Sequence, residues 1–91
     1  MDSNLVKKLF TYHKDGYLIW NINRGSIKKN SIAGFINKET GYLYIRYNYK
    51  NYLLHRLIFL WHYGYLSENP IDHIDRDIMN NKISNLREVS Y

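Results

Sequence analysis

One segment of the chain has the periodicity of an α-helix, and runs typical of β-strands lie on either side of it. Around the segment from His55 to Tyr63, the apolar residues of one helical face are Leu54, Leu57, Ile58 and Trp61. Gly64 follows at the position where helices commonly end in a left-handed residue. A single helix among short strands predicts an α+β fold with a small antiparallel β region.

Turn signals divide the rest of the chain into short strands. Asp15-Gly16 is a strong hairpin signal between two strand-like runs at residues 9–12 and 17–20. Residues 42–49 alternate strictly between two faces, which predicts the best-defined strand of the chain. A tight turn is expected directly after it, at Lys50-Asn51.

The length of 91 residues predicts one domain with a modest hydrophobic core. Within it we expect an N-terminal β region at 1–53, and the helix with a C-terminal motif at 54–91. The chain has no cysteine, which excludes disulfides and thiolate zinc sites. Its longest apolar run is far shorter than a membrane span, and no signal peptide is visible. These features fit a reducing cytoplasm, and we expect no membrane partner.

Basic residues outnumber acidic ones, and the formal net charge is +5 at pH 7. Such a balance favours a polyanionic partner, with double-stranded DNA as the first candidate. The residues expected to contact phosphates are Arg24, Lys28, Lys29, Arg46, Lys50, Arg56 and Arg87. The alternative is an ordinary solvated surface, because many small basic proteins bind nothing anionic.

The residues suited to chemistry are concentrated in the C-terminal stretch from Pro70 to Tyr91, where Asp72 stands next to His73. A carboxylate oxygen suits Mg²⁺ or Mn²⁺, and an imidazole suits the work of a general base. On a strand the two side chains would diverge unless the strand ends at this pair. Composition alone is equally consistent with a hairpin whose Asp and Asn residues only form turns.

The two histidines of the predicted helix, His55 and His62, are seven residues apart. They lack the four-residue spacing and the intervening glutamate of a zinc-protease helix. We therefore expect them to be partly buried, hydrogen-bonded side chains rather than metal ligands.

The C-terminal stretch as a whole resembles the HNH endonucleases, and most closely the phage and intron-encoded branch whose motif reads His-Asn-Asn. The segments that carry the resemblance are Asp72-His73, Ile74-Asp75, Asn80-Asn81, Asn85 to Val89 and the helix just upstream. The resemblance covers roughly residues 54–91, and more loosely the strands from Phe35 onward.

The resemblance implies a ββα-metal fold that cuts DNA with one divalent cation, Mg²⁺ or Mn²⁺. Transferred by position, Asp72 would be a metal ligand and His73 the general base that activates water. Asn85 would be the middle residue of the motif, holding both the base and the loop. The residues that would stabilise the loop by hydrogen bonds are Asp75, Asn80 and Asn81.

The chain departs from the family pattern at its C-terminus. The last motif residue of the family, a metal-binding His or Asn on the final helix, would fall beyond Tyr91. Three explanations remain open: a fragment of a longer nuclease, a short protein that binds without cutting, or a ligand supplied by another chain such as a homodimer partner. We therefore expect a C-terminal ββ hairpin that lacks its final helix.

Two functions are compatible with these features. The first is a metal-dependent DNA endonuclease, or its N-terminal part, acting in the cytoplasm of a bacterium or a phage-infected cell. The second is a non-catalytic protein derived from an HNH domain, which binds DNA or a protein partner as an inhibitor or decoy.

Overall fold

The computed structural model describes residues 1–90 and has the α+β architecture that the sequence predicts. Within these residues it consists of helices and three small antiparallel sheets. The elements in chain order are α1 (Ser3–Leu9), β1 (Phe10–His13), β2 (Tyr17–Trp20), β3 (Ile32–Ala33), β4 (Phe35–Ile36), β5 (Leu43–Tyr47), β6 (Lys50–Leu53), α2 (Leu54–Tyr63), β7 (Ile71–His73) and β8 (Leu86–Glu88).

The first sheet has the strand order β1-β2-β3 and is built on the predicted hairpin. Its turn closes when the Gly16 N–H donates to the His13 carbonyl at 2.9 Å, and Gly16 adopts a φ of 91°. Helix α1 leads into β1, and the Asp2 side chain caps it by accepting from the Leu5 N–H at 2.8 Å. The hairpin signal in the sequence is therefore confirmed.

The second sheet has the strand order β4-β5-β6, and its turn differs from the expected one. Tyr47 pairs with Lys50, so the turn residues are Asn48 and Tyr49, with φ values of 49° and 64°. The expected turn at Lys50-Asn51 is wrong by two residues. A two-residue loop with positive φ at both positions matches the twist of the flanking strands. The turn therefore forms at Asn48-Tyr49 although tyrosine is not a residue type that predicts such a turn.

Helix α2 contributes the largest share of a core that also includes residues of α1 and of all three sheets. Leu54, Leu57 and Ile58 of the predicted stripe are buried, whereas Trp61 is partly buried and donates its Nε1–H to the Phe10 carbonyl at 3.1 Å. Gly64 ends the helix in a left-handed conformation with a φ of 81°, as expected. The buried apolar residues are Val6, Leu9, Phe10, Leu18, Trp20, Ala33, Ile45, Leu54, Leu57, Ile58, Phe59, Leu60, Ile71 and Leu86.

The third sheet is the C-terminal hairpin, in which β7 and β8 pair antiparallel. Its register joins Asp72 to Arg87 and His73 to Leu86. The connecting residues 74–85 form a long loop that ends in a 3₁₀ turn. No helix within residues 1–90 has the length and hydropathy needed to cross a membrane.

Candidate functional site

Strand β7 places Asp72 and His73 on opposite faces of the C-terminal hairpin. His73 is buried, with 4% of its surface exposed, whereas the Asp72 side chain retains 45% exposure. Because β7 keeps strand geometry through His73, successive side chains alternate between the two faces. The pair therefore diverges although β7 ends at His73, the point at which the sequence analysis allows the two side chains to converge.

The imidazole of His73 is held by Asn81. Its Nε2 lies 2.7 Å from Asn81 Oδ1, and Asn81 is 2% exposed. An amide oxygen only accepts hydrogen bonds, so in the neutral ring Nε2 carries the proton and Nδ1 is the basic nitrogen. No buried side-chain nitrogen or oxygen of residues 1–90 lacks a partner, and no described residue hydrogen-bonds Nδ1, so Nδ1 reaches solvent. The arrangement suits a base whose ring orientation is fixed.

Asn85 holds the loop rather than the imidazole. Its Nδ2 donates to Asp75 Oδ1 at 2.9 Å and to the Asn80 carbonyl at 2.8 Å. Its Oδ1 accepts from the Asp75 N–H at 3.0 Å. The sequence analysis assigns to Asn85 both the loop and the base, and the structure divides these contacts between Asn85 and Asn81.

Asp75 is the acceptor around which the loop closes. Its carboxylate accepts from the Asp77 N–H and from Asn80 Nδ2, both at 2.8 Å, besides Asn85. The hydrogen bond from Asn80, followed by those from Asp77 and Asn85, lowers the pKa of the Asp75 carboxyl below its ordinary value. Asp75 and Asn80 are therefore joined by a hydrogen bond within the loop.

The Asp72 carboxylate lies on the wall of an open groove of about 680 Å³. Its Oδ2 is 3.3 Å from Arg87 Nη2, and both side chains are about half exposed or more. An ion pair this exposed contributes little, roughly 0–1 kcal/mol. The carboxylate is therefore available to a competing cation.

Asp72 offers one oxygen donor of the kind that Mg²⁺ binds, and the described residues do not complete a metal site around it. Within residues 1–90 no three or more His, Cys, Asp or Glu side chains cluster at metal-binding distance. Mg²⁺ keeps several waters and is often held by one or two carboxylates together with substrate phosphates. Asp72 alone supplies one such carboxylate, and it is a hard oxygen donor exposed in a groove.

His55 is a member of the site that the sequence analysis missed. Its ring centroid lies 4.8 Å from that of His73 and 5.7 Å from that of Tyr42. Burial, followed by the nearby His73 and Arg56, lowers the pKa of His55 to about 4. The expectation of a hydrogen-bonded histidine holds for His62, whose Nδ1 donates to the Ile58 carbonyl at 2.8 Å. It does not hold for His55, which has no hydrogen bond to a described residue.

The low pKa of His55 predicts a loss of stability in acid. The unfolded chain binds a proton at His55 below about pH 6.5, whereas the folded protein does so only near pH 4. Stability is therefore complete above pH 6.5 and decreases as the pH falls towards 4. We expect the free energy of unfolding to drop by up to about 3 kcal/mol between pH 7 and pH 4, measured by urea denaturation.

A His55→Phe variant tests this assignment because it retains an aromatic ring and removes the proton. Between pH 7 and pH 4 the free energy of unfolding of His55→Phe should decrease much less than that of wild type. A His13→Gln control should show the same decrease as wild type. The lowered pKa values of Asp75 and Glu88 act mainly near and below their ordinary values of 3.8 and 4.5, at the acid end of this range. Equal acid sensitivity in His55→Phe and wild type would contradict the assignment.

The basic residues expected to contact DNA lie in three regions. Arg56 donates to the carbonyls of Ser67 and Asn69 and so fixes the loop after α2. Arg87 pairs with Asp72, as described above. The others lie around the tip of the β5–β6 hairpin or in the loop after β2: Arg24, Lys28, Lys29, Arg46 and Lys50.

Comparison with known proteins connects this geometry to one family. Residues 52–91 match the HNH endonuclease family. This HNH segment, somewhat less than half of the chain, contains the last two residues of β6, helix α2 and the C-terminal hairpin with Asp72 and His73. Neither a curated protein nor a solved structure matches the chain significantly. The match supports a nuclease-type function for the HNH segment.

Proposed function

We propose that the chain is a metal-dependent DNA endonuclease of the HNH type, or its N-terminal part, related to the His-Asn-Asn branch. The observation that carries the proposal is the buried His73 ring, fixed by Asn81 within a segment that matches the HNH family. Its proposed location is the cytoplasm of a bacterium or of a phage-infected cell.

In the proposed reaction, His73 Nδ1 takes a proton from the water that attacks the scissile phosphate. Asn81 keeps the ring in the tautomer with the proton on Nε2, so that Nδ1 remains basic. Asn85 and Asp75 support this arrangement from a distance, because they close the loop that carries Asn81. A general base of this kind contributes about 10²–10⁴-fold to the rate.

Asp72 is the proposed protein ligand for Mg²⁺ or Mn²⁺. When bound, such a cation would stabilise the negative charge that develops on the phosphate. Arg87 lies beside Asp72 and is the basic residue best placed to contact the same phosphate group. Arg24, Lys28, Lys29, Arg46 and Lys50 are proposed to position the duplex, with Arg56 engaged mainly in the protein.

The proposal is tested by nicking of supercoiled plasmid in Mg²⁺, in Mn²⁺ and in chelator. Nicked circles should form only with a divalent cation. Asp72→Asn should need at least tenfold more metal for the same rate, because it removes the carboxylate that is proposed to bind the cation. Arg87→Gln breaks the same ion pair and leaves the carboxylate in place, so it should weaken DNA binding without raising the metal concentration required. Metal-independent nicking, or equal metal requirements in wild type and Asp72→Asn, would contradict the assignment of Asp72.

The second candidate function is binding of DNA or of a protein without cleavage. Two observations favour it: Asp72 is paired with Arg87, and its side chain lies on the face opposite His73. This function requires duplex binding in the absence of nicking under every divalent cation tested. Affinity that falls steeply with salt would identify phosphates as the contact, and a flat dependence would indicate a protein partner.

A further inference from the structure

The turn of the β5–β6 hairpin carries a tyrosine where its backbone favours glycine. Asn48 and Tyr49 both have positive φ, at 49° and 64°. Two-residue turns of this kind prefer Asn followed by Gly, because a side chain at the second position is strained. Asn48 fits this preference and Tyr49 does not.

Burial does not offset the strain at Tyr49. The residue is 92% exposed, more than any other large hydrophobic residue among those described, so its ring gains almost nothing from folding. A large aromatic ring on a strained turn in solvent contributes little to stability. Residues with strained backbone conformations cluster at functional sites.

The surroundings of Tyr49 are basic and partly ordered. With Arg24, Arg46 and Tyr47 it lines an open groove of about 430 Å³, to which no acidic side chain of residues 1–90 contributes. The Arg24 guanidinium lies 5.0 Å from the centre of the Tyr47 ring. Arg46 donates from Nη1 to Asn51 Oδ1 at 3.1 Å. Both cations are therefore held at the groove, next to the exposed Lys50.

The hairpin joins this groove to the HNH segment. β6 runs from Lys50 at the tip to Leu53, and helix α2 begins at the next residue, with His55 against His73. Four strand residues span about 13 Å. This distance corresponds to about four base pairs along a duplex at about 3.4 Å each. The tip and the start of α2 are therefore separated by no more than about four base pairs along a duplex.

We propose that the hairpin tip is a second contact site for double-stranded DNA, in which Arg24 and Arg46 bind phosphates and the Tyr49 ring packs against the bases in a groove. The inference rests on the proposed function for the choice of DNA as partner. Every base offers an aromatic face, so such a contact adds affinity without strong sequence preference. Apolar side chains that insert between base steps stabilise deformed duplexes in other protein–DNA complexes.

The test uses a fluorescent 30-base-pair duplex and the full chain in chelator, so that binding is measured without cleavage. Tyr49→Gly should weaken the dissociation constant by about tenfold, in the range measured for base–aromatic contacts. Its thermal midpoint should equal or exceed that of wild type, because glycine relieves the strained turn. Loss of affinity together with retained or increased stability is a result that a structural role of Tyr49 does not give.

Three controls isolate the ring of Tyr49. Tyr49→Phe should bind within twofold of wild type, since it keeps the aromatic face. Asn48→Gly changes the same turn and leaves the ring, so its affinity should also be unchanged. Tyr63→Ala removes another exposed tyrosine, 55% exposed at the end of α2, and should have no effect.

The outcomes separate this inference from the proposed function. If wild type binds and nicks DNA while Tyr49→Gly binds equally well, the inference is overturned and the nuclease proposal stands. If wild type binds DNA in a Tyr49-dependent manner but does not nick it with any metal, the proposed DNA contact at the hairpin tip is supported and the nuclease proposal fails. If no duplex is bound, both are overturned.

Discussion

Replacing Gly16 by alanine should destabilise the protein by about 2–5 kcal/mol and displace the residue that orients His73. A Cβ at position 16 would lie 2.4 Å from the Lys82 nitrogen and 2.7 Å from the Asn81 carbonyl carbon. Both are backbone atoms, which cannot move aside as the end of a flexible side chain can. The φ of 91° at Gly16 adds further strain for any other residue.

The expected effect on the site follows from where the clash occurs. The β1–β2 hairpin packs against residues 81–83, and Tyr12 Oη also accepts from the Ile83 N–H at 3.1 Å. Either this hairpin or the Asn81 segment must shift, and a shift of Asn81 releases the His73 ring. Urea denaturation measures the loss of stability. The nicking rate, measured at a temperature where the variant remains folded, reports the loss of orientation of the His73 ring.

Gly25→Ala is the matched control for Gly16→Ala. Gly25 also has a positive φ, of 56°, but a Cβ there would have no neighbour within 4 Å. Gly25→Ala should lower the free energy of unfolding by only about 1 kcal/mol and leave the nicking rate unchanged. Equal effects of the two substitutions would show that backbone strain alone acts at Gly16, and that the hairpin does not support the site.

Replacing His73 by glutamine should slow nicking by about 10²–10⁴-fold while the fold and DNA affinity persist. A glutamine amide is able to donate to Asn81 Oδ1 in place of the Nε2–H, but it has no basic nitrogen. We expect its free energy of unfolding to stay within about 1 kcal/mol of wild type. The dissociation constant for a duplex in chelator should change by less than about twofold, since His73 is buried and is not among the residues proposed to bind phosphates.

His73→Ala is the less specific variant and shows why glutamine is preferred. Alanine leaves Asn81 Oδ1 buried without its partner and creates a cavity beside His55. The combined cost is about 2–4 kcal/mol, so lost activity would be confounded with partial unfolding. If His73→Gln also lost DNA binding, His73 would be structural and the proposed base would be wrong.

The parts of the fold that were predictable from sequence are those with strong local chemistry. The stripe around Leu57, the C-cap at Gly64 and the Asp15-Gly16 hairpin each satisfy a rule that depends on nearby residues only. The turn at Asn48-Tyr49 was misplaced because tyrosine does not signal a positive φ. Strain of this kind is imposed by the pairing of β5 with β6 and leaves no mark in the local sequence.

The candidate site was predictable in its residue types and only partly in its contacts. The divergence of Asp72 and His73 follows from strand alternation, and the roles of Asp75 and Asn80 in the loop follow from the hydrogen-bonding habits of these side chains. Which asparagine meets the His73 ring depends on how residues 74–85 close in three dimensions. The choice of Asn81 over Asn85 was therefore out of reach of sequence reasoning.

The remaining features that the sequence did not predict depend on tertiary contacts. His55 meets His73 because α2 packs against β7, and no sequence spacing relates the two histidines. Gly16 approaches Asn81 because the first hairpin docks on the C-terminal loop. The only sequence signal for His55 was an imidazole at the start of a helix whose apolar stripe faces the core.

The most direct test of the proposed chemistry is a time course of supercoiled-plasmid nicking by wild type and His73→Gln at the same Mg²⁺ or Mn²⁺ concentration. We expect nicked circles to accumulate with wild type and to form at least 100-fold more slowly with the variant. Equal rates for the two proteins would contradict the role of His73 as the base. Duplex binding without nicking by wild type would contradict the nuclease function and favour the non-catalytic one.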